Sequence, residues 1–205
     1  MANCIRQAKA ALRSNMKTKL QNLTDQDRRV QSQIVTDKAL SCPEYESSKR
    51  VSVFLSMESE INTERIVAHL LDTHRECFVP YYKGPVMKML KLNSMEDLWN
   101  LPETKWHIKQ PSDDKGRDDA LETGGLDLMF MPGVAFSSEG ARCGHGRGYY
   151  DNYLRQCREK GFKPFTIGLA YLEQICESVP VSDDDVKIDK VLYSSAEEIQ
   201  RASSS

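Results

Sequence analysis

The sequence predicts an α/β fold built on a mostly parallel sheet, and three observations carry that expectation. Short apolar runs of strand length recur at 50–56, 77–81, 86–92, 126–132, 165–171 and 191–193. Between most of them lie stretches whose apolar residues repeat at three- and four-residue steps, the period of a helix. At 205 residues with 40% hydrophobic side chains, the chain can bury one core without staples, so a single domain over 1–205 is expected. Alternating strands and helices favour a parallel sheet, and such sheets bind ligands beyond the carboxyl ends of their strands.

The first 24 residues carry Arg6, Lys9, Arg13, Lys17 and Lys19 and no acid. Ile5, Ala8, Leu12, Met16, Leu20 and Leu23 mark an apolar helical face beside that basic stripe. Three readings compete for this helix: a transit peptide, which is also basic and amphipathic, a solvated face, or a helix docked on the body. In the third reading Lys9 and Arg13 reach a bound anion. Thr24 is the expected N-cap of a second helix running to about Leu40, and Cys42-Pro43 stops it. Residues 57–62 form a loop carrying Glu60, and 63–71 resume helix. Residues 97–106 are expected to be irregular, 110–119 a flexible loop rich in aspartate, and 200–205 a disordered tail. Trp106 and Tyr149 read as core or rim aromatics.

The most informative stretch is Gly140-Ala141-Arg142-Cys143-Gly144-His145-Gly146-Arg147-Gly148-Tyr149-Tyr150-Asp151. Glycine at this density lets the backbone approach a ligand and turn its N–H groups toward an anion. Tyr149, Tyr150, Tyr153, Leu154 and Cys157 then recur at helical spacing, so the loop opens onto a helix N-terminus, a natural phosphate site. Arg142, Arg147 and His145 add mobile cations, and Asp151 in the first turn is placed to hold Mg²⁺. The run is not a P-loop, which needs Gly-Lys-Ser/Thr. It matches the dinucleotide fingerprint only in part, with Tyr149 where a third glycine belongs and Glu173 in the range of the ribose-binding acid. Glu60, Tyr81, Gly133 and the glycine loop all follow expected strands, which would bring them to one rim. The acidic run Asp183-Asp184-Asp185, with Asp189, reads either as a solvated turn or as a second metal carboxylate.

A net charge of −2 argues against a nucleic-acid partner, although Arg-Gly-Tyr-Tyr beside a basic helix superficially suggests RNA. No apolar run approaches the ~20 residues of a membrane span. Cys4, Cys42, Cys77, Cys143, Cys157 and Cys176 are scattered, and His69, His74, His107 and His145 form no zinc motif. Free thiols point to a reducing compartment, with cytoplasm the simplest address and a mitochondrial copy the alternative. A monomer is expected.

Gly144–Asp151 resembles the signature of the 5-formyltetrahydrofolate cyclo-ligase (methenyltetrahydrofolate synthetase) family, Gly-Arg-Gly-x-Gly-Tyr-Tyr-Asp, with His145 in place of the first arginine. Lys9-Ala10-Ala11-Leu12-Arg13, Phe54-Leu55-Ser56 with Glu60, the strand through Met131-Pro132-Gly133, and Asp185 with Asp189 resemble further pieces of the family in order. The resemblance implies a single-domain, three-layer α/β/α sandwich that converts 5-formyltetrahydrofolate and MgATP to 5,10-methenyltetrahydrofolate, ADP and phosphate. It implies ATP contacts from Lys9, Ala10, Ala11, Leu12 and Arg13, and from Arg142, Cys143, Gly144, His145, Gly146, Arg147, Gly148, Tyr149 and Tyr150. Arg147 and Arg142 serve catalysis on this reading. Leu55, Glu60, His145, Gly146, Arg147, Gly148 and Tyr149 line the substrate, with Glu60 accepting from the pterin. Asp151 and Asp185 hold Mg²⁺, with Asp183, Asp184 and Asp189 as neighbouring candidates. An alternative is another nucleotide- or sugar-phosphate-binding enzyme using the same loop. His145 departs from the family pattern, because histidine lacks the permanent charge and planar fork of arginine.

Overall fold

The computed structural model describes residues 2–104 and 108–203. Six strands form the central sheet: β1 (Arg50–Ser52), β2 (Glu76–Lys83), β3 (Val86–Leu92), β4 (Leu128–Met131), β7 (Phe165–Leu169) and β9 (Lys190–Leu192). Their order is β3-β2-β1-β4-β7-β9, and every neighbouring pair is parallel except the β2–β3 hairpin. From β1 the chain moves outward to β2 and β3, then returns past β1 to β4 and continues the other way. The reversal opens a crevice beyond the carboxyl ends of β1 and β4.

Strand alternation divides the core into two layers. Val51, Cys77, Val79, Leu128, Phe130, Ile167 and Leu169 face one side. There they meet α2 (Asp25–Leu40), α3 (Pro43–Glu46) and α4 (Glu64–Asp72) through Val35, Ala39, Tyr45, Ile66, Val67 and Leu70. Phe78, Met129 and Met131 face the other side, against Tyr150, Tyr153, Leu154 and Cys157 of α6 (Tyr149–Glu159). This is the expected three-layer arrangement. α2 starts where the sequence places it: the Thr24 hydroxyl accepts from Asp27 N (3.1 Å) while the Asp27 carboxylate accepts from Thr24 N (3.0 Å).

Several expectations are corrected. The strand expected over 50–56 pairs only at Arg50–Ser52, although Val53 N still donates to Phe78 O at 2.9 Å. Tyr81 sits inside β2 rather than after it. Residues 97–100, expected to be irregular, belong to α5 (Met95–Asn100), because the Ser94 hydroxyl caps it by accepting from Asp97 N. Trp106 lies outside the described residues. Residues 200–203, expected in a tail, belong to α7 (Ala196–Ser203), and residues 204–205 lie outside the described range. The 110–119 loop has no regular structure but is tied to β3 by Lys88–Asp114 (2.8 Å) and by a bridge between Leu90 and Asp119.

A second sheet of order β6-β5-β8, from Ala135–Ser137 (β5), Arg142–Cys143 (β6) and Ile175–Cys176 (β8), is not anticipated by the sequence. Strands of two or three residues carry no readable period. This sheet links β4 to the glycine loop and gives α1 (Ala2–Gln21) part of its seat.

Candidate active site

The glycine loop is held between two arginines from different parts of the chain. Arg142, at the end of the small sheet, runs beneath it: a Cβ on Gly144 would stand 2.7 Å from Arg142 Nη1. Arg13, from α1, crosses above it, donating Nε–H to Gly144 O at 2.8 Å with its guanidinium against Gly146. Beyond Gly146 (φ +99°) and Gly148 (φ +67°), α6 begins with no side-chain cap, so its first N–H groups face outward unpaired by any cap. Backbone donors and cations thus surround one loop, as an anion site requires.

Arg142 is not the mobile cation the sequence suggests. Its side chain is 5% exposed, and Nη2 donates to Asp151 Oδ2 at 2.9 Å. Asp151 Oδ1 accepts from Val186 N at 3.0 Å, which fixes the acidic segment beside the first turn of α6. Gly140 completes the attachment. It accepts from Ile188 N at 3.0 Å, at φ +88°, and a Cβ there would stand 2.1 Å from Ile188 O.

Of the four late aspartates, Asp185 is the one that faces the loop. It pairs with Lys9, and its Oδ2 also accepts from Ser182 N (2.6 Å) and Ser182 Oγ (2.9 Å). Asp189 is committed to Thr166 N and Oγ at the sheet, while Asp183 and Asp184 are exposed. Burial raises the Asp185 pKa, but Lys9 and the Ser182 bonds outweigh it and hold the carboxyl below its usual value. A depressed folded-state pKa gives stabilisation that is fully present above the ordinary value of about 4 and is lost as pH falls through the lowered one. Lys9→Met should therefore unfold at lower denaturant than the parent at pH 6, and the gap should close as pH falls through the lowered pKa. A gap that persists unchanged in acid would show that Lys9 acts through packing.

Glu60 enters from the loop after β1. Its side chain is 7% exposed; Oε2 accepts from Met57 N at 2.9 Å, and Oε1 lies 3.3 Å from His145 Nε2. Tyr171 donates its hydroxyl to Glu60 O at 2.7 Å, so the backbone is fixed as well. Tyr149 points the other way, toward the β2–β3 hairpin: its hydroxyl donates to Gly84 O (2.7 Å) and its ring meets Tyr82 at 4.8 Å. Leu55 is half-buried against the core.

The remaining expected residues divide by exposure. Arg147 is exposed and makes no hydrogen bond or ion pair among the described residues. Ala10 and Ala11 are exposed on α1, and Leu12 packs inward. Cys143 is buried, and burial raises its thiol pKa against the pull of Arg13, Lys9 and Arg142. The Tyr150 side chain lies in the core, not on the loop surface, with its hydroxyl unpartnered and its pKa driven upward by burial. Gly133 lies against the Arg142 side chain, where a Cβ would stand 3.1 Å from Arg142 Cγ, and Pro132 O accepts from Arg142 Nη1 at 3.4 Å. Sequence reasoning missed Tyr82 and Ser182. Tyr82 had a weak signal, an aromatic at a strand's end; Ser182 had none, being one serine in a polar turn.

Among the described residues no cluster of three or more metal-ligating side chains occurs, and no helix is long and apolar enough to cross a membrane. The family described as "5-formyltetrahydrofolate cyclo-ligase family" matches residues 5–194. A 5-formyltetrahydrofolate cyclo-ligase from Mus musculus is 43% identical over 92% of this chain and 95% of its own. A probable 5-formyltetrahydrofolate cyclo-ligase from Caenorhabditis elegans is 39% identical over 93% and 95%. The NMR structure of Aquifex aeolicus 5,10-methenyltetrahydrofolate synthetase superposes with a TM-score of 0.74 at 28% identity, covering 90% of this chain and 88% of that one. With the family model matching residues 5–194 and relatives of about this length at 43% and 39% identity, the chain belongs to the 5-formyltetrahydrofolate cyclo-ligase family and is an enzyme of the ligase class.

Proposed function

We propose that this enzyme closes 5-formyltetrahydrofolate to 5,10-methenyltetrahydrofolate with consumption of ATP and release of ADP and phosphate. The observation that carries this reading is the position of His145: one residue of the phosphate-type loop lies 3.3 Å from a buried carboxylate 85 residues away. An anion cradle and an acceptor for the N–H groups of a pterin thus share a wall.

The chemistry suits such a site. A formyl oxygen on N5 is a poor leaving group, so N10 does not expel it unaided. Transfer of the γ-phosphoryl group to that oxygen gives an iminium phosphate. N10 then bonds to the formyl carbon, loses its hydrogen, and the C–O bond breaks to release phosphate. Ring closure is intramolecular, and orientation alone supplies up to about 7–11 kcal/mol in such steps. The protein supplies cations and N–H donors for the phosphates, not a nucleophile.

In this reading Lys9, Arg13 and the backbone of residues 144–148 hold ATP phosphates, and Arg147 meets the group in transfer. Glu60, Leu55 and Tyr149 line the pterin side. Arg142 acts from below, by holding Asp151 and the loop. Mg²⁺ fits the donor set. Asp151, which accepts from Val186 N and Arg142, and Asp185, the residue before Val186, offer hard oxygens on neighbouring segments, and Asp185 Oδ1 makes no hydrogen bond among the described residues. One or two carboxylates completed by phosphate and water are a common magnesium environment. When bound there, the ion would supply charge neutralisation to the phosphates.

Absorbance tests the reading. Closure to the conjugated methenyl cation creates a near-ultraviolet band that neither reactant has. The band should appear only when enzyme, 5-formyltetrahydrofolate, ATP and Mg²⁺ are all present. Folded protein that binds ATP yet yields no band would assign the loop to a different substrate.

A further inference from the structure

The glycine loop spans both proposed subsites, and the side chain of His145 is where they touch. An ionised carboxylate only accepts, so the His145–Glu60 contact requires hydrogen on Nε2 of the ring. Glu60 has little freedom: its side chain is 7% exposed, its Oε2 is taken by Met57 N, and its backbone is pinned by Tyr171. A ligand N–H that binds this carboxylate at Oε1, the oxygen the backbone leaves open, arrives beside the ring of His145. His145 itself is 50% exposed and sits between Gly144 and Gly146, so its ring has room to leave. Its neighbours on the loop are the anion donors. Gly144 is tied to Arg13, and Arg147 stands two residues on, exposed and unpaired among the described residues.

From this geometry we infer that His145 is a latch coupling the pterin and ATP subsites. In the ligand-free chain it occupies Glu60. A pterin bound at Glu60 displaces it, and the freed imidazole N–H then joins the donors facing the phosphates. Pterin binding removes a competing contact from the phosphate loop and so raises affinity for ATP; linkage requires ATP to raise affinity for the pterin by the same factor. The inference rests on the proposed function, since it needs both ligands.

Calorimetric titration separates the two. Affinity for a non-hydrolysable ATP analogue with Mg²⁺ is measured with and without saturating 5-formyltetrahydrofolate, in the parent enzyme and in His145→Ala. The parent should bind the analogue at least about fivefold more tightly with folate present, the low end of typical coupling. In His145→Ala the two affinities should agree within about twofold, while folate alone binds that variant more tightly than the parent because no latch competes. Coupling that survives in His145→Ala, or is absent from the parent, overturns the latch while leaving the function standing. Failure of 5-formyltetrahydrofolate to bind either protein overturns both. Ring proton resonances of His145 give a second readout: they should shift when folate is added without nucleotide, and an unmoved signal under bound folate contradicts displacement.

Discussion

Arg147→Ala is expected to lower turnover by about 10²–10³-fold while leaving the folded state intact. Arg147 is exposed and makes no hydrogen bond or ion pair among the described residues, so its removal leaves no buried group unsatisfied. Surface changes of that kind usually alter stability by no more than about 0.5 kcal/mol, or about 1–2 °C in a chain this size. The whole effect should fall on chemistry, where a cation next to the transferring phosphoryl group meets charge that develops only in the transition state. The measurement is kcat and KM for both substrates from the methenyl band, beside a thermal melt. Arg147→Lys should recover part of the loss, because it restores charge without the planar fork. Near-normal turnover in Arg147→Ala would remove Arg147 from the catalytic role.

Arg142→Met should behave in the opposite way, losing stability first and activity as a consequence. Arg142 is buried beneath Gly144, and its Nη2 matches an Asp151 carboxylate that is only 16% exposed. Deleting one partner leaves the other charge largely buried without compensation, at a cost of about 3 kcal/mol. In a chain of this length that corresponds to a melting point lower by about 6–12 °C. The double variant Arg142→Met, Asp151→Asn should recover much of the loss, since no unpaired charge remains. If the double variant is as unstable as the sum of the singles, the pair contributes packing rather than charge matching. The double variant should nevertheless stay impaired in turnover, because Asp151 is then absent from the proposed magnesium set.

Both arginines stand in one motif, five positions apart, and no local pattern tells them apart. Local composition shows that a cation is present; exposure and partner are set by what the rest of the chain places around it. Arg142 became a floor because Asp151, in the first turn of α6, takes its guanidinium. Arg147 stayed free because it lies on the solvent side of the same loop. A similar division separates Asp185 from Asp183, Asp184 and Asp189. Four carboxylates in seven residues look equivalent until Ser182 and Lys9 choose one.

By itself the sequence determined the parts that depend on short-range periodicity and local chemistry. Strand runs, the Thr24 cap, the glycine loop opening onto a helix, and the order of the family motifs are all written in neighbouring residues. It also determined the α/β class, because alternating strand and helix periods leave few ways to bury both faces of a sheet. Tertiary structure alone decided what each site residue touches. The small second sheet, the Tyr82–Tyr149 contact, the Arg13–Gly144 bond and the approach of His145 to Glu60 join residues between 6 and 131 positions apart. Such contacts depend on how two faces of a packed core bring distant loops to one rim, and no local pattern in the chain encodes that.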